Sequence, residues 1–147
     1  MMKLLTLATL VSVSAYCEDT ETKVKMKDLP PAVQRAVAEQ SKGATLKGLA
    51  KEVEDGKTFY EAELKVNGRT RDVSFDETGK VVSVEQEIPI DSIPAAAREA
   101  IKKQAGAGKI KLVEQVTKGS LVYYEAHVKT GGKESEIEVK ADGSPVK

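Results

Sequence analysis

The sequence predicts an α+β fold of two tandem repeats, each with one helix packed on an antiparallel sheet of three to four strands. The first observation is an internal match at one constant shift, which aligns 29–32 with 93–96 and 59–62 with 123–126. We call this shift the repeat offset. The second observation is that each repeat has a segment with helical spacing of apolar residues, followed by apolar–polar alternation broken by glycine turns. Together they indicate one helix and several hairpin-linked strands in each repeat.

The helix of each repeat is predicted from the residues at its two ends. Pro30 and Pro94 suit a first helical turn, where a missing N–H costs nothing. Asp28 and Ser92 are the candidate N-caps. Alanine-rich faces follow, so each helix can lie close to a sheet. The helices are predicted to stop at glycines, Gly43 and Gly106.

Three strands are predicted after each helix, at 45–54, 58–66 and 69–76 in repeat one and at 109–117, 121–130 and 133–140 in repeat two. A fourth strand, 80–87, completes repeat one, whereas only a stub remains in repeat two. In the first strand of repeat one, Leu46 and Val53 are an odd number of positions apart, which would place them on opposite faces. A β-bulge is therefore predicted near Gly48, in repeat one alone.

The N-terminus has the features of an export signal. Lys3 precedes an apolar run, and 13–15 offers the small residues that signal peptidase needs. The run is too short for a stable transmembrane helix. The alternative is a buried N-terminal helix, which the acidic residues directly after the run disfavour. Tyr16 before Cys17 matches a lipidation motif poorly, so we expect a periplasmic or secreted protein without a lipid anchor.

The chain divides into four predicted segments. They are a signal peptide at 1–17, a flexible leader at 18–28, a first repeat at 24–86 and a second repeat at 88–147. The leader is charged and contains threonine, which is why no element is predicted within it.

Composition excludes several classes of function. The 23 basic and 23 acidic residues balance, and no basic cluster indicates nucleic-acid binding. One Cys and one His cannot supply a Cys/His zinc site. His127 is the one candidate base and no motif places a nucleophile beside it. Glu61 and Glu125 lie in separate repeats, so they do not predict a paired-carboxylate active site. We predict no catalytic residue, no cofactor and no metal.

Two ordered sets of residues resemble the PepSY-like family, also described as β-lactamase-inhibitor-like. The first set is Pro30, Tyr60-Glu61, Gly68, Val73, Phe75 and Gly79-Lys80. The second is Pro94, Tyr124-Glu125, Gly132, Ile137, Val139 and Gly143. The resemblance implies an exported bacterial module of tandem helix-plus-sheet units. It also implies a mostly non-enzymatic role in binding or inhibiting other proteins, including secreted or periplasmic hydrolases.

The candidate binding surface is the sheet face that points away from the helices. In the second strand of each repeat, alternation assigns to it Phe59, Glu61, Glu63, Tyr123, Glu125 and His127. Aromatic residues flanked by charges suit protein recognition. Ordinary cross-strand pairing on a solvated face is the alternative. Tyr60 and Tyr124 are expected in the core.

These observations predict an exported, non-enzymatic module that binds a protein partner on its open sheet face. Inhibition or regulation of a secreted or periplasmic hydrolase is one form that such binding can take. An envelope protein that binds a small ligand or an ion is the alternative. Binding to nucleic acid is not expected, and the mature chain has no predicted transmembrane segment.

Overall fold

A computed structural model describes residues 20–146 as a single eight-stranded antiparallel sheet with two helices. The predicted signal peptide, 1–17, lies outside these described residues. Each strand is hydrogen-bonded to the next along the chain, in the order β1 to β8. The strands are β1 Thr20–Lys23, β2 Thr45–Glu54, β3 Lys57–Val66, β4 Arg69–Asp76, β5 Val81–Glu87, β6 Lys109–Lys118, β7 Leu121–Thr130 and β8 Lys133–Val139. The helices are α1 Pro31–Gln40 and α2 Ala95–Ala105.

The α+β class predicted from sequence is confirmed, but the two halves do not form separate sheets. β5 pairs with β4 on one side and with β6 on the other, so the sheet continues from one half into the next. After β8 the chain pairs once more, in an isolated bridge between Val139 and Pro145. None of the helices in the described part of the chain is long and apolar enough to cross a membrane.

The elements of the first half recur in the second half at the repeat offset. The first residues of α1, β2 and β3 correspond by this shift to the first residues of α2, β6 and β7. The short 3-10 helices Met26–Asp28 and Ile90–Ser92 are related in the same way. By the same shift β1 corresponds to the end of β5. The recurring unit is therefore a strand, a helix and three strands, and β5 opens the second half.

The segment predicted as a flexible leader is, from Thr20 onward, part of the fold. β1 pairs antiparallel with β2, with Glu21 opposite Glu52 and Lys23 opposite Ala50. The backbone N–H of Val24 donates a further hydrogen bond to the carbonyl of Leu49. The β1 sequence Thr-Glu-Thr-Lys has no apolar residue, so no apolar–polar alternation predicted a strand there. Backbone hydrogen bonds to the edge of β2 hold β1 in the sheet.

The predicted N-caps are wrong for both helices. Each helix begins one residue after its proline, and Pro30 and Pro94 themselves occupy the cap position. Asp28 and Ser92 instead end the 3-10 helices, where their backbone N–H groups donate to carbonyls one 3-10 turn earlier, at 2.9 Å in both cases. In each half the polar residue lies within the 3-10 helix and is therefore too far from the α-helix to occupy its N-cap position.

The predicted bulge near Gly48 is confirmed, and a second one was missed. The β2–β3 register shifts between Leu46 and Gly48, and the β6–β7 register shifts at the equivalent place, between Ile110 and Leu112. Ile110 packs against the core under α2. Val116 lies on the other face of the sheet, where it is paired with Tyr123 of β7. The even spacing of Ile110 and Val116 suggested a regular strand, but the two residues lie on opposite faces.

Both helices cover the same face of the sheet. The cluster beneath α1 includes Leu29, Val33, Val37, Leu64, Val73 and Phe75. The cluster beneath α2 includes Ile93, Ala97, Ile101, Val113, Val128 and Val139. Tyr60 lies in the first cluster and Tyr124 packs against the second, as predicted. The opposite face, called the open face below, is covered by neither helix.

The turns after β4 and β8 approach the helix starts closely. Gly79 and Gly143 both have φ of +82°. A Cβ at Gly79 would lie 2.6 Å from the carbonyl oxygen of Ala32, and one at Gly143 would lie 2.7 Å from that of Ala96. Backbone cannot move aside as a flexible side chain can, so both positions require glycine.

Gly79→Ala and Gly143→Ala are each expected to lower the free energy of unfolding by about 2–4 kcal/mol, from left-handed strain and a displaced helix start. Gly43→Ala is the matched control, because its φ is +74° and nothing lies within 4 Å of the added Cβ. It should cost only about 1 kcal/mol. Urea denaturation of the three variants measures the difference, and equal losses in all three would contradict the close-approach argument.

Candidate functional site

The open face carries an acidic residue from every strand. Glu21 lies opposite Glu52, Asp72 opposite Glu85, and Glu114 opposite Glu125. Like charges directly opposite each other on one sheet face destabilise the pairing. We call this row the acidic belt; it consists of Glu21, Glu52, Glu61, Asp72, Glu85, Glu114, Glu125 and Glu136.

The six site residues predicted from sequence all face this side, but they form two groups. Phe59, Glu61 and Glu63 lie on β3, and Tyr123, Glu125 and His127 lie on β7. Three strands separate β3 from β7, which places the groups about 19 Å apart at the usual strand spacing. They therefore do not form one contact point, and the strands between them decide what each group can bind.

The first group lines a groove that crosses the junction of the two halves. Its volume is about 420 Å³, and its lining includes Phe59 and Glu61 from β3, Glu85 from β5 and Lys118 from β6. Glu52, Glu54, Ser74, Val82 and Ser83 complete it. Lys118 is the groove's one basic lining residue among the described positions. Sequence reasoning missed Glu85 and Lys118 because apolar–polar alternation assigns faces within a strand but does not predict the register between β5 and β6.

Carboxylates around this groove resist ionisation. Burial, assisted by nearby Glu52, Asp72 and Glu85, raises the pKa of Glu61 to about 8. Burial together with Glu114 and Glu63 raises the pKa of Asp72 to about 6. The pKa values of Glu52 and Glu85 are raised for the same two reasons. A cation placed in the groove would relieve this repulsion, so the groove favours positively charged groups.

The second group is centred on His127. Its Nε2 lies 3.0 Å from Glu125 Oε1 and 3.2 Å from Oε2 of Glu114, the residue opposite Glu125 on β6. The Glu114 and Glu125 side chains are only 4 % and 11 % exposed, whereas the imidazole is 37 % exposed. Glu136 on β8 approaches the other ring nitrogen at 3.9 Å. The imidazole thus faces three carboxylates from three strands.

Glu114 and Glu136 are the members of this cluster that sequence reasoning missed. A regular β6 would place Glu114 on the same face as Ile110, towards the helix, whereas the unrecognised bulge at Ile110–Leu112 places it on the open face, opposite Glu125. The bulge predicted near Gly48 was the signal that could have revealed the position of Glu114, because the repeat offset predicts a bulge at the equivalent place in β6.

Tyr123 does not offer the exposed aromatic surface that was expected of it. It is 8 % exposed, and Val116 from β6 lies opposite it. Burial, with Glu138 and Glu125 nearby, raises the pKa of its hydroxyl to about 12. Exposed apolar surface on this side comes instead from Leu121, which is 40 % exposed and lies opposite Lys118 at the end of the groove.

Glu61→Gln tests the electrostatic description of the groove. The folded-state pKa of Glu61, about 8, exceeds the ordinary value of 4.5, so between these values the folded protein holds a proton that the unfolded chain releases. The free energy of unfolding should therefore fall as pH rises through this window. At about pH 8.5 the variant should have a higher melting temperature than the wild type, and at about pH 5 the two melting temperatures should be nearly equal.

Glu99→Gln is the control, since Glu99 is exposed on α2, on the other side of the sheet. It should leave the pH dependence of the melting temperature unchanged. Parallel curves for Glu61→Gln and wild type over the same pH range would contradict the raised pKa of Glu61.

Three solved structures from Bacteroides share this fold at low sequence identity. A protein of B. eggerthii described as "putative periplasmic" aligns with a TM-score of 0.65 and 21% identity, over 81% of this chain and 86% of its own. A BLIP-like protein of B. fragilis aligns with a TM-score of 0.58 and 20% identity, over 81% and 84%. A DUF2874 family protein of B. uniformis aligns with a TM-score of 0.62 and 21% identity, over 80% and 86%.

No curated protein matches the chain. The family described as "Putative beta-lactamase-inhibitor-like, PepSY-like" matches twice, at residues 15–82 and 58–144. The first match contains α1 and β2–β4, and the second contains α2 and β6–β8. The chain belongs to this PepSY-like, β-lactamase-inhibitor-like family.

Proposed function

We propose that this protein is an exported, non-enzymatic module that binds a protein partner on its open sheet face. The observation that carries the proposal is the groove at the junction of the two halves, where half-buried carboxylates crowd together beside Phe59. The β-lactamase-inhibitor-like family and the structural neighbour described as periplasmic support a binding role in the envelope.

The charge of the groove specifies the chemistry of the partner. Glu52, Glu61 and Glu85 line it, and the acidic belt extends from it to both edges of the sheet. A lysine or arginine side chain entering the groove would pair with carboxylates that now repel one another. We therefore propose a partner that presents a basic segment.

Apolar contacts would anchor that segment. Phe59 lines the groove, and Leu121 is exposed at its β6 end. A central aromatic residue with a charged rim is the usual composition of a protein interface. Phe59 is the anchor we expect to contribute most to the affinity. Tyr123 is too buried to serve in the same way.

Exported hydrolases are the first class of partner to test. The family description refers to a β-lactamase inhibitor, and an acidic face that blocks an enzyme needs only to cover its active-site entrance. This proposal includes export by the predicted signal peptide and a periplasmic or secreted location. Inhibition is a separate measurement from binding, so a partner can be found even if no enzyme is inhibited.

Capture from envelope extract, followed by titration of the purified partner, tests the surface. Phe59→Ala and Glu61→Lys should each weaken binding at least about tenfold, as hot-spot substitutions do. Wild-type affinity should fall as salt rises, because exposed charge pairs are screened. Glu99→Lys makes the same substitution on α2, on the other side of the sheet, and should bind normally. Equal affinity for all four proteins would exclude the groove as the interface.

A further inference from the structure

We propose that Glu114, Glu125 and His127 form a binding site for one divalent transition-metal ion, with Zn²⁺ the best fit. The site lies on the open face, on β6 and β7, and is separate from the groove residues. The inference goes beyond protein binding, because it assigns a metal ion to a cluster outside the groove where the proposed partner is anchored.

The three candidate ligand atoms lie close to one another. One imidazole nitrogen and one oxygen from each carboxylate lie within 4.8 Å of one another. Two of these separations, from Nε2 to Glu125 and to Glu114, are 3.0 and 3.2 Å. Ligands held about 2.0–2.2 Å from a tetrahedral zinc ion are themselves about 3.4 Å apart. A small shift would admit an ion at their centre.

The proton count of the imidazole gives a second reason. Nε2 carries at most one hydrogen, so Glu114 and Glu125 must share or compete for a single donor. Both carboxylates are about nine-tenths buried or more, with 4 % and 11 % of their side chains exposed. Burying a carboxylate without a compensating partner is costly. One metal ion in place of one proton would contact both carboxylates and neutralise both charges.

The other side of the imidazole ring supports this orientation. Nδ1 faces Glu136 Oε1 at 3.9 Å. When Nε2 binds a metal, Nδ1 carries the proton, and histidine ligands in metal sites commonly donate that proton to a carboxylate.

The donor types select the ion. Calcium takes six to eight oxygen ligands, whereas imidazole with carboxylates suits zinc and its first-row neighbours. Three protein ligands would leave a fourth position for water. The Cys/His zinc sites considered from composition do not include this combination, which needs a single histidine.

The first half supplies an internal comparison. By the repeat offset, Glu114, Glu125 and His127 correspond to Ala50, Glu61 and Glu63. The two sets keep the same register, with Ala50 opposite Glu61 as Glu114 is opposite Glu125. The first half thus has two carboxylates and no imidazole, and Glu63 is the matched control position.

The experiment follows the imidazole of tag-free protein during titration with ZnCl₂. The chain contains one histidine, so every ¹⁵N imidazole signal belongs to His127. We expect the Nε2 resonance to shift and to saturate at one equivalent of Zn²⁺, with one site by calorimetry. CaCl₂ at the same concentration should leave it unmoved. This readout uses the wild-type protein, so it does not depend on the folding of any variant.

His127→Gln and Glu114→Gln should each weaken Zn²⁺ binding by about tenfold or more, and Glu63→Gln should change it less than about twofold. Thermal unfolding confirms that the variants compared are folded. An imidazole that does not move while Zn²⁺ binds would overturn the proposal. Equal weakening by Glu114→Gln and Glu63→Gln would also overturn it, since that result indicates non-specific binding to acidic surface.

Discussion

The pairing of β5 on both of its edges is the constraint on which the rest of the molecule depends. Hydrogen bonds to β4 and to β6 join two similar halves into one sheet. The same offset between the halves places both helices on one face. The other face is consequently continuous, and the groove forms where the halves meet. Glu85, on β5, lies at the centre of both the sheet and the acidic belt.

The duplication also explains why the charges accumulate. Glu21 and Glu85, Glu61 and Glu125, and Asp72 and Glu136 are equivalent pairs at the repeat offset. A carboxylate that is tolerable in one half becomes part of a row when the halves share a sheet. Side chains on the helix face pack into apolar cores instead, so one face of the sheet is apolar and the other is acidic. The helix face stabilises the fold, and the open face retains repulsion that a bound cation can relieve.

Much of the architecture followed from sequence because the deciding signals are local. Glycine turns and alternation predicted the strands that became β2–β4 and β6–β8 to within about one or two residues, and the odd spacing at Leu46 revealed the first bulge. β1 was missed because backbone pairing, not apolar burial, holds it to the sheet. The N-caps were wrong because Asp28 and Ser92 end 3-10 turns whose hydrogen bonds no sequence pattern encodes.

The candidate site was only partly predictable for the same physical reason. Alternation identified Glu125 and His127, but their partner Glu114 depends on a register set by the second bulge. The groove depends on pairing between the halves, which places Lys118 of β6 in the lining of the same groove as Phe59 of β3. The face on which a side chain lies follows from alternation within one strand, whereas its cross-strand neighbours depend on the pairing and register of the whole sheet.

The salt dependence of stability at two pH values tests most directly whether the open face stores electrostatic repulsion. At about pH 8.5, KCl from roughly 0.05 to 0.5 M should raise the free energy of unfolding of the ligand-free protein, because screening weakens repulsion between carboxylates. At about pH 5.5, where the raised pKa values keep part of the acidic belt protonated, the rise should be clearly smaller. A salt effect that is absent at the higher pH, or equal at the two pH values, would contradict the account.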